Sequence, residues 1–207
     1  KAENAPLMIT TDPDADRMGV GVLHQGRYIL LSGDQTGAIL LEYILSQKTW
    51  LKSLPHHPWM INTVVTSDLG EKIAAKYGVE TEKTLTGFKY IGQKIHQYEQ
   101  NEDRHFIFGY EESYGYLLEP FVRDKDAMQA SLMIAEAAVY YQQQGKTLID
   151  VLIDLYQEHG YFLEKQKSLT FKGIDGLAKI DSILKAFRKM KRKTFAGYSL
   201  VKKEDYL

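Results

Sequence analysis

Three aspartates at alternate positions, Asp12, Asp14 and Asp16, follow directly on the apolar run Leu7-Met8-Ile9-Thr10. Unit charges about 4 Å apart repel by about 4 kcal/mol at an intermediate dielectric, so such a turn calls for a compensating cation. Hard carboxylate oxygens at this spacing suit Mg²⁺ or Ca²⁺. An EF-hand loop is excluded. It requires Gly at its sixth position and Glu at its twelfth, where this chain has Arg17 and Leu23. Three protein carboxylates that leave coordination positions open fit a Mg²⁺ site completed by phosphate and water. Arg17 then either balances the aspartates or helps to hold that phosphate. The alternative is a solvated acidic turn, since Asp-Pro and repeated Asp are common turn chemistry.

A second polar cluster lies about a hundred residues on, in Gly109-Tyr110-Glu111-Glu112-Ser113-Tyr114-Gly115-Tyr116. A carboxylate and a hydroxyl two residues apart can accept from and donate to neighbouring sugar hydroxyls, a pairing that discriminates well. Thr86-Gly87, ahead of a helical pattern, offers a hydroxyl and an N–H to a sugar or phosphate oxygen, although a plain helix cap reads the same way. His56-His57 lies among prolines without further ligands and reads as a surface turn. The basic run Arg188–Lys193 reads as a helix end. No glycine-rich nucleotide loop with lysine is present, which argues against an ATP-dependent kinase.

These groups need elements to hold them, and the pattern is α/β. Leu7–Thr10 reads as a strand, and Gly19–Leu23 with Tyr28–Leu31 as a hairpin. A helix starts at Gly33-Asp34 with Ile39, Leu40, Tyr43 and Ile44 on one stripe. Ile61–Thr66 is a β-branched strand handing over to a helix with Asp68 and Glu71 at capping-box spacing and Gly78 as its stop. Phe106–Phe108 reads as a strand that ends at Gly109 in a loop. The segment Asp126–Gln144 is apolar almost all round, which predicts a helix covered on several sides. A helix from Thr147 to about His159, a strand over Phe162–Phe171, a helix through Leu177 to Met190 and a strand at Tyr198–Val201 complete the reading.

Composition narrows the function classes. The 207 residues carry 26 Lys+Arg against 27 Asp+Glu, a formal charge of −1, so no global basic field favours nucleic acid. The absence of cysteine excludes disulfides, thiolate metal sites and thiol catalysis, and fits a reducing compartment. No apolar run approaches the roughly 20 residues of a membrane span. The abrupt start Lys1-Ala2-Glu3-Asn4 suggests a piece of a longer chain.

Asp12-Pro13-Asp14-Ala15-Asp16-Arg17 resembles the metal-binding loop of the α-D-phosphohexomutases, the phosphoglucomutases and phosphomannomutases, in its phosphoglucomutase branch. The loop at Gly109–Tyr116 resembles that family's sugar loop, with Tyr110 or Tyr114 additional. The resemblance implies that Asp12, Asp14 and Asp16 hold Mg²⁺ and that Glu111 and Ser113 contact the sugar, Glu112 occupying the intervening position. Thr86-Gly87-Phe88-Lys89-Tyr90 resembles a further sugar loop. Arg123-Asp124-Lys125-Asp126-Ala127 resembles a segment whose lysine, here Lys125, reaches substrate phosphate, with Ala127 in place of the usual glycine.

The implied fold is a three-layer mixed sheet flanked by helices, with residues 1–31 ending one domain, 32–159 forming a complete domain and 160–207 starting another. The implied reaction interconverts hexose 1-phosphate and 6-phosphate through a phosphoserine and a hexose bisphosphate. The nucleophile loop and the phosphate-clamp loop of the family have no counterpart here, so the piece alone is expected to be inactive. Its expected partners are hexose phosphates and the remaining domains of a cytoplasmic parent chain, not nucleic acid or membrane. The rival classes are a non-catalytic sugar-phosphate-binding module and a Mg²⁺-dependent phosphatase with an aspartyl nucleophile after the first strand.

Overall fold

The computed structural model describes residues 4–100, 104–165 and 168–206, and the chain divides into two compact units, Lys1–Leu163 and Glu164–Leu207. The first unit opens with an antiparallel sheet of β1 (Leu7–Thr11), β2 (Met18–His24) and β3 (Arg27–Leu30). Gln25 and Gly26 both take positive φ, 49° and 77°, the two-residue turn that matches strand twist. Met18, Val20 and Val22 alternate inward from β2 and join the main core.

Helix α1 (Gly33–Trp50) begins at a reciprocal cap: the Ser32 hydroxyl accepts from the Gln35 N–H and the Gln35 amide oxygen accepts from the Ser32 N–H. The second sheet holds β4 (Pro58–Thr63), β5 (Glu80–Thr84), β6 (His105–Glu111) and β7 (Gly115–Leu117) in the order β5-β4-β6-β7. The first three strands are parallel, and β7 returns antiparallel to β6. Trp59 and Ile61 face α3 (Phe88–Glu99), packing with Phe88, Ile91 and Ile95, whereas Met60, Phe108 and Tyr110 join the opposite core. That core is shared by α1, α2 (Leu69–Lys76), α4 (Ala127–Gln142) and α5 (Leu148–His159). Helices thus cover both faces of a mixed sheet, the expected α/β three-layer arrangement.

Several local expectations are corrected. The strand expected at Ile61–Thr66 starts at Pro58 and stops at Thr63, because Thr66 turns back: its N–H donates to the Thr63 carbonyl and its hydroxyl accepts from the Thr63 N–H. The Asp68–Glu71 capping box does not form, since Lys83 draws both carboxylates into ion pairs. Gly78 does end α2, at φ 70°. Strand β6 does not end at Gly109 but continues through Glu111 and folds back as a hairpin.

Helix α4 buries a single stripe, Ala127, Ala130, Ile134, Ala137 and Tyr141, and leaves Met128, Leu132 and Val139 exposed within this unit. It is apolar all round yet covered on one side, so apolar composition alone misjudged its burial. Helix α5 follows its expected span, with Thr147 and Asp150 forming a reciprocal cap. No strand forms between Phe162 and Phe171 among the described residues; positions 166–167 of that expectation lie outside them. The second unit contains α6 (Gly173–Lys189) and a two-residue hairpin, β8 (Thr194–Phe195) with β9 (Tyr198–Ser199), shorter than the strand expected at Tyr198–Val201. Among the described residues, no helix is long and apolar enough to cross a membrane.

Candidate functional site

The acidic loop is shaped from within. Asp12 Oδ1 accepts from the N–H groups of Asp16 (3.2 Å) and Arg17 (3.0 Å), and the Ala15 N–H donates to the Asp12 carbonyl. Ala15 takes φ 55°, a left-handed conformation that costs an L-residue about 1–2 kcal/mol. The tight winding brings one carboxylate oxygen from each of Asp12, Asp14 and Asp16 within 4.8 Å of the others. An all-oxygen donor set of this kind is chemically suited to a hard divalent cation. The Arg17 N–H bond, with lesser help from Asp16, holds the Asp12 carboxyl below the usual aspartate range.

The loop is bonded to the two other candidate regions. The Met18 N–H donates to the Tyr114 carbonyl at 3.1 Å, and Arg17 forms a bridge with Gly115 at the foot of the hairpin. The Ala127 N–H donates to the Ala15 carbonyl, joining the loop to the first turn of α4. Asp126 caps that turn, its carboxylate accepting from the N–H groups of Met128 and Gln129. Lys125, just ahead, has a side chain only 10% exposed and places Nζ 2.8 Å from Asp16 Oδ2 and 2.9 Å from Asp124 Oδ1. Burial alone would lower its pKa, but the two carboxylates outweigh that and raise it. Its stem lies on Gly115, where an added Cβ would come within 2.3 Å of Lys125 Cδ, and Nζ sits 5.6 Å from the Phe88 ring centroid. One lysine therefore touches the acidic loop, the hairpin and the start of α3.

The hairpin residues separate by role. Glu111, 4% exposed, ends β6 and its Oε1 accepts from the Gly87 N–H at 2.8 Å. Burial raises its carboxyl pKa above the usual glutamate range, and the Gly87 N–H opposes that rise. The Gly87 N–H expected to meet a ligand is thus committed to Glu111, while Thr86 beside it is exposed. Ser113 sits at the half-buried apex. Tyr114, at φ 70°, makes the turn back into β7. Glu112 points to a buried pair of hydroxyls, Thr63 Oγ1 at 3.3 Å and Thr66 Oγ1 at 3.4 Å.

The structure thus groups Asp12, Asp14 and Asp16 in one turn, bonds that turn to Lys125 and to the hairpin, and joins Glu111 to Gly87, while Ser113 and Thr86 stand beside these contacts without making one of them. Arg17 itself reaches Asp16 only at 3.9 Å with a half-exposed side chain. Arg123, in the same segment as Lys125, turns away to Glu99 and the Pro120 carbonyl. Sequence reasoning missed Gly33, Thr63 and Thr66. A Cβ on Gly33 would lie 2.0 Å from the Glu112 carbonyl oxygen. Gly33 stands out in sequence only as a helix start, so nothing there signals the approach of a loop 79 residues away. The second unit has a cavity of about 340 Å³ lined in part by Leu184, Phe187, Met190 and Leu200, which includes none of these residues.

Comparison with known proteins bears on the whole arrangement. Residues 32–159, more than half of the chain, match the family described as phosphoglucomutase/phosphomannomutase, alpha/beta/alpha domain III. The chain is 40% identical over 205 residues to phosphoglucomutases of Staphylococcus aureus strains RF122 and MRSA252, covering 99% of this chain and 36% of theirs. It therefore spans about a third of the length of those curated relatives. Among solved structures, a phosphomannomutase of Thermus thermophilus described as putative aligns with TM-score 0.57 at 22% identity, over 75% of this chain and 31% of that one. The Paramecium phosphoprotein pp63/parafusin, a phosphoglucomutase, aligns with TM-score 0.56 at 21% identity, over 75% and 25%. These two likenesses show the fold. The family match over residues 32–159 places the chain in the phosphoglucomutase/phosphomannomutase family.

Proposed function

We propose that this chain is the metal- and sugar-binding part of a longer, cytoplasmic phosphohexomutase that interconverts hexose 1-phosphates and 6-phosphates, glucose phosphate first among them. Residues 1–31 bring the acidic loop, 32–159 the sugar-binding domain, and 160–207 the start of a further domain. The observation that carries the reading is the direct bonding of the acidic loop to the hairpin and to the Lys125 turn. Metal carboxylates, sugar-binding groups and a phosphate-binding cation are what a phosphoryl transfer between sugar oxygens needs in one place.

Asp12, Asp14 and Asp16 would hold Mg²⁺, which when bound supplies charge neutralisation at a transferring phosphoryl group. Asp12 fixes the shape of the loop through its two N–H bonds. Glu111, anchored by Oε1 to Gly87, offers its remaining oxygen to a sugar hydroxyl, and the Ser113 hydroxyl donates or accepts beside it. Lys125, partnered here by Asp16 and Asp124, is the cation available to a substrate phosphate. The phosphoserine of the proposed cycle would come from the remainder of the longer protein, and the sugar bisphosphate would turn over against the same groups.

The test is made on the 207-residue chain. In a coupled assay with glucose 1-phosphate, Mg²⁺ and glucose 1,6-bisphosphate we expect no turnover, and robust turnover would overturn the division of labour. Calorimetry should find weak Mg²⁺ binding that is lost in Asp14→Asn. Submicromolar affinity unchanged by that substitution would overturn the metal site.

A further inference from the structure

The apex of the hairpin, Glu112 to Tyr114, lies outside the β6–β7 ladder, which ends at the Glu111–Gly115 pair. Two observations nevertheless fix it. Gly33, at the first turn of α1, approaches so closely that an added Cβ would lie 2.0 Å from the Glu112 carbonyl oxygen and 2.8 Å from the Tyr114 nitrogen. Glu112 Oε2 meets Thr63 Oγ1 and Thr66 Oγ1, which lie 2.8 Å apart and belong to residues at most 4% exposed.

Proton counting shows why the carboxylate matters. Each threonine hydroxyl carries one proton. Within the pair, one hydroxyl donates to the other, and the second proton needs an acceptor outside the pair. In either arrangement Glu112 Oε2 is the acceptor in reach, and a charged acceptor makes the stronger bond. The Thr66 hydroxyl already accepts from the Thr63 N–H at 3.2 Å, so the end of β4 is part of the same network. The next residue, Ser67, donates its N–H to Asp34 Oδ1 at 2.9 Å, tying that turn to the start of α1. The end of β4 and the first turn of α1 thus form one seat.

We propose that Glu112 is a positioning residue: through the Thr63–Thr66 hydroxyl pair it holds the hairpin apex on this seat, and so sets where Glu111 and Ser113 present their polar groups to a sugar. The part that concerns sugar rests on the proposed function. The clamp itself does not.

The test reads amide hydrogen exchange in the ¹⁵N-labelled 207-residue chain. Two reporters sense the apex directly, the Met18 N–H bonded to the Tyr114 carbonyl and the Gly87 N–H bonded to Glu111. Glu112→Ala and Thr66→Val should each speed exchange at both amides at least tenfold, and the double variant no more than the faster single one. Glu112→Gln, which keeps an acceptor oxygen, should restore most of the protection. Leu40 and Leu41 within α1 should keep their rates. Unchanged reporter rates in Glu112→Ala, or effects that simply add in the double variant, overturn the clamp. Should Thr66→Val not fold, the Ala and Gln variants of the half-buried Glu112 still decide the matter.

A second arm titrates each chain with glucose 1-phosphate and, separately, inorganic phosphate, following the Gly87 and Ser113 amide shifts. Glu112→Ala should raise the half-saturating glucose 1-phosphate concentration at least threefold and leave that for phosphate unchanged. Equal weakening for both ligands overturns the sugar-positioning role. If the wild-type chain responds to neither ligand while exchange coupling holds, the clamp stands and the sugar-site reading falls.

Discussion

The acidic loop and the hairpin meet at the Met18–Tyr114 backbone bond and the Arg17–Gly115 bridge, yet they are built in opposite ways. Asp12 shapes its loop with bonds to residues four and five positions away. Glu111 and Glu112 hold the apex with bonds to Gly87, Thr66 and Thr63, across 24, 46 and 49 residues. A locally closed turn keeps its form when the surrounding fold shifts, whereas an apex held by distant partners registers every change in packing. The cation-binding half of the proposed site is therefore shaped mainly from within, although it is tied to the hairpin and to Lys125, and the sugar-binding half depends on distant partners.

The sharpest way to break this contrast is Gly33→Ala. The added methyl meets backbone atoms of Glu112 and Tyr114, which cannot rotate away, so the apex or the start of α1 must move. We expect a loss of about 1–3 kcal/mol in urea unfolding, the range of an overpacked core position. The Asp16 and Arg17 amide shifts, which report on the acidic loop, should stay in place. Movement of those shifts would show that the loop takes its shape from the apex and not mainly from within.

A smaller effect is expected at Glu111. Its raised pKa means that folding favours the protonated carboxyl, a contribution present at low pH and lost as pH rises through the folded-state pKa. At neutral pH the buried charge therefore opposes folding. Glu111→Gln keeps an oxygen for the Gly87 N–H without the charge, and its Tm should exceed wild type at pH 7. The gap should close as pH falls through the carboxylate range. A lower Tm for Glu111→Gln at pH 7 would mean that the charge is compensated in the fold.

Asp12 should show the opposite sign with the smallest effect. Its depressed pKa gives a contribution present above the usual aspartate range and lost as pH falls through its own titration. The Asp16 and Arg17 amide shifts should titrate together, with a midpoint below that range, and the inflection should vanish in Asp12→Asn. A midpoint at the ordinary aspartate value would show that the two N–H bonds do not shape the loop in solution.

The same contrast explains what could be read from sequence. Asp12, Asp14 and Asp16 announce themselves by spacing, because their geometry is set within one turn. Part of the strand and helix order was legible for the same reason: the β2–β3 hairpin, the start of α1 and the helix opening at Thr147 are local, whereas β5, β7 and the burial of α1 on most sides instead of along one stripe were not. The hidden part was non-local. Glu112 looked like a spacer because its partners, Thr63 and Thr66, lie at the end of another strand. The Asp68–Glu71 cap failed because Lys83, on β5, competes for both carboxylates. Helix α4 was misread because periodicity cannot reveal how much of an apolar surface the rest of the chain covers.

The register of β6 and β7 has a consequence for how this loop can vary. Tyr116 pairs with Tyr110 and faces the core beneath α1, while the adjacent Leu117 faces α3. Because successive strand residues point to opposite faces, one residue added or removed in the turn would exchange those two side chains between cores of different shape. The apex can accept new side chains, but its length is held constant by a tyrosine and a leucine buried in two different cores.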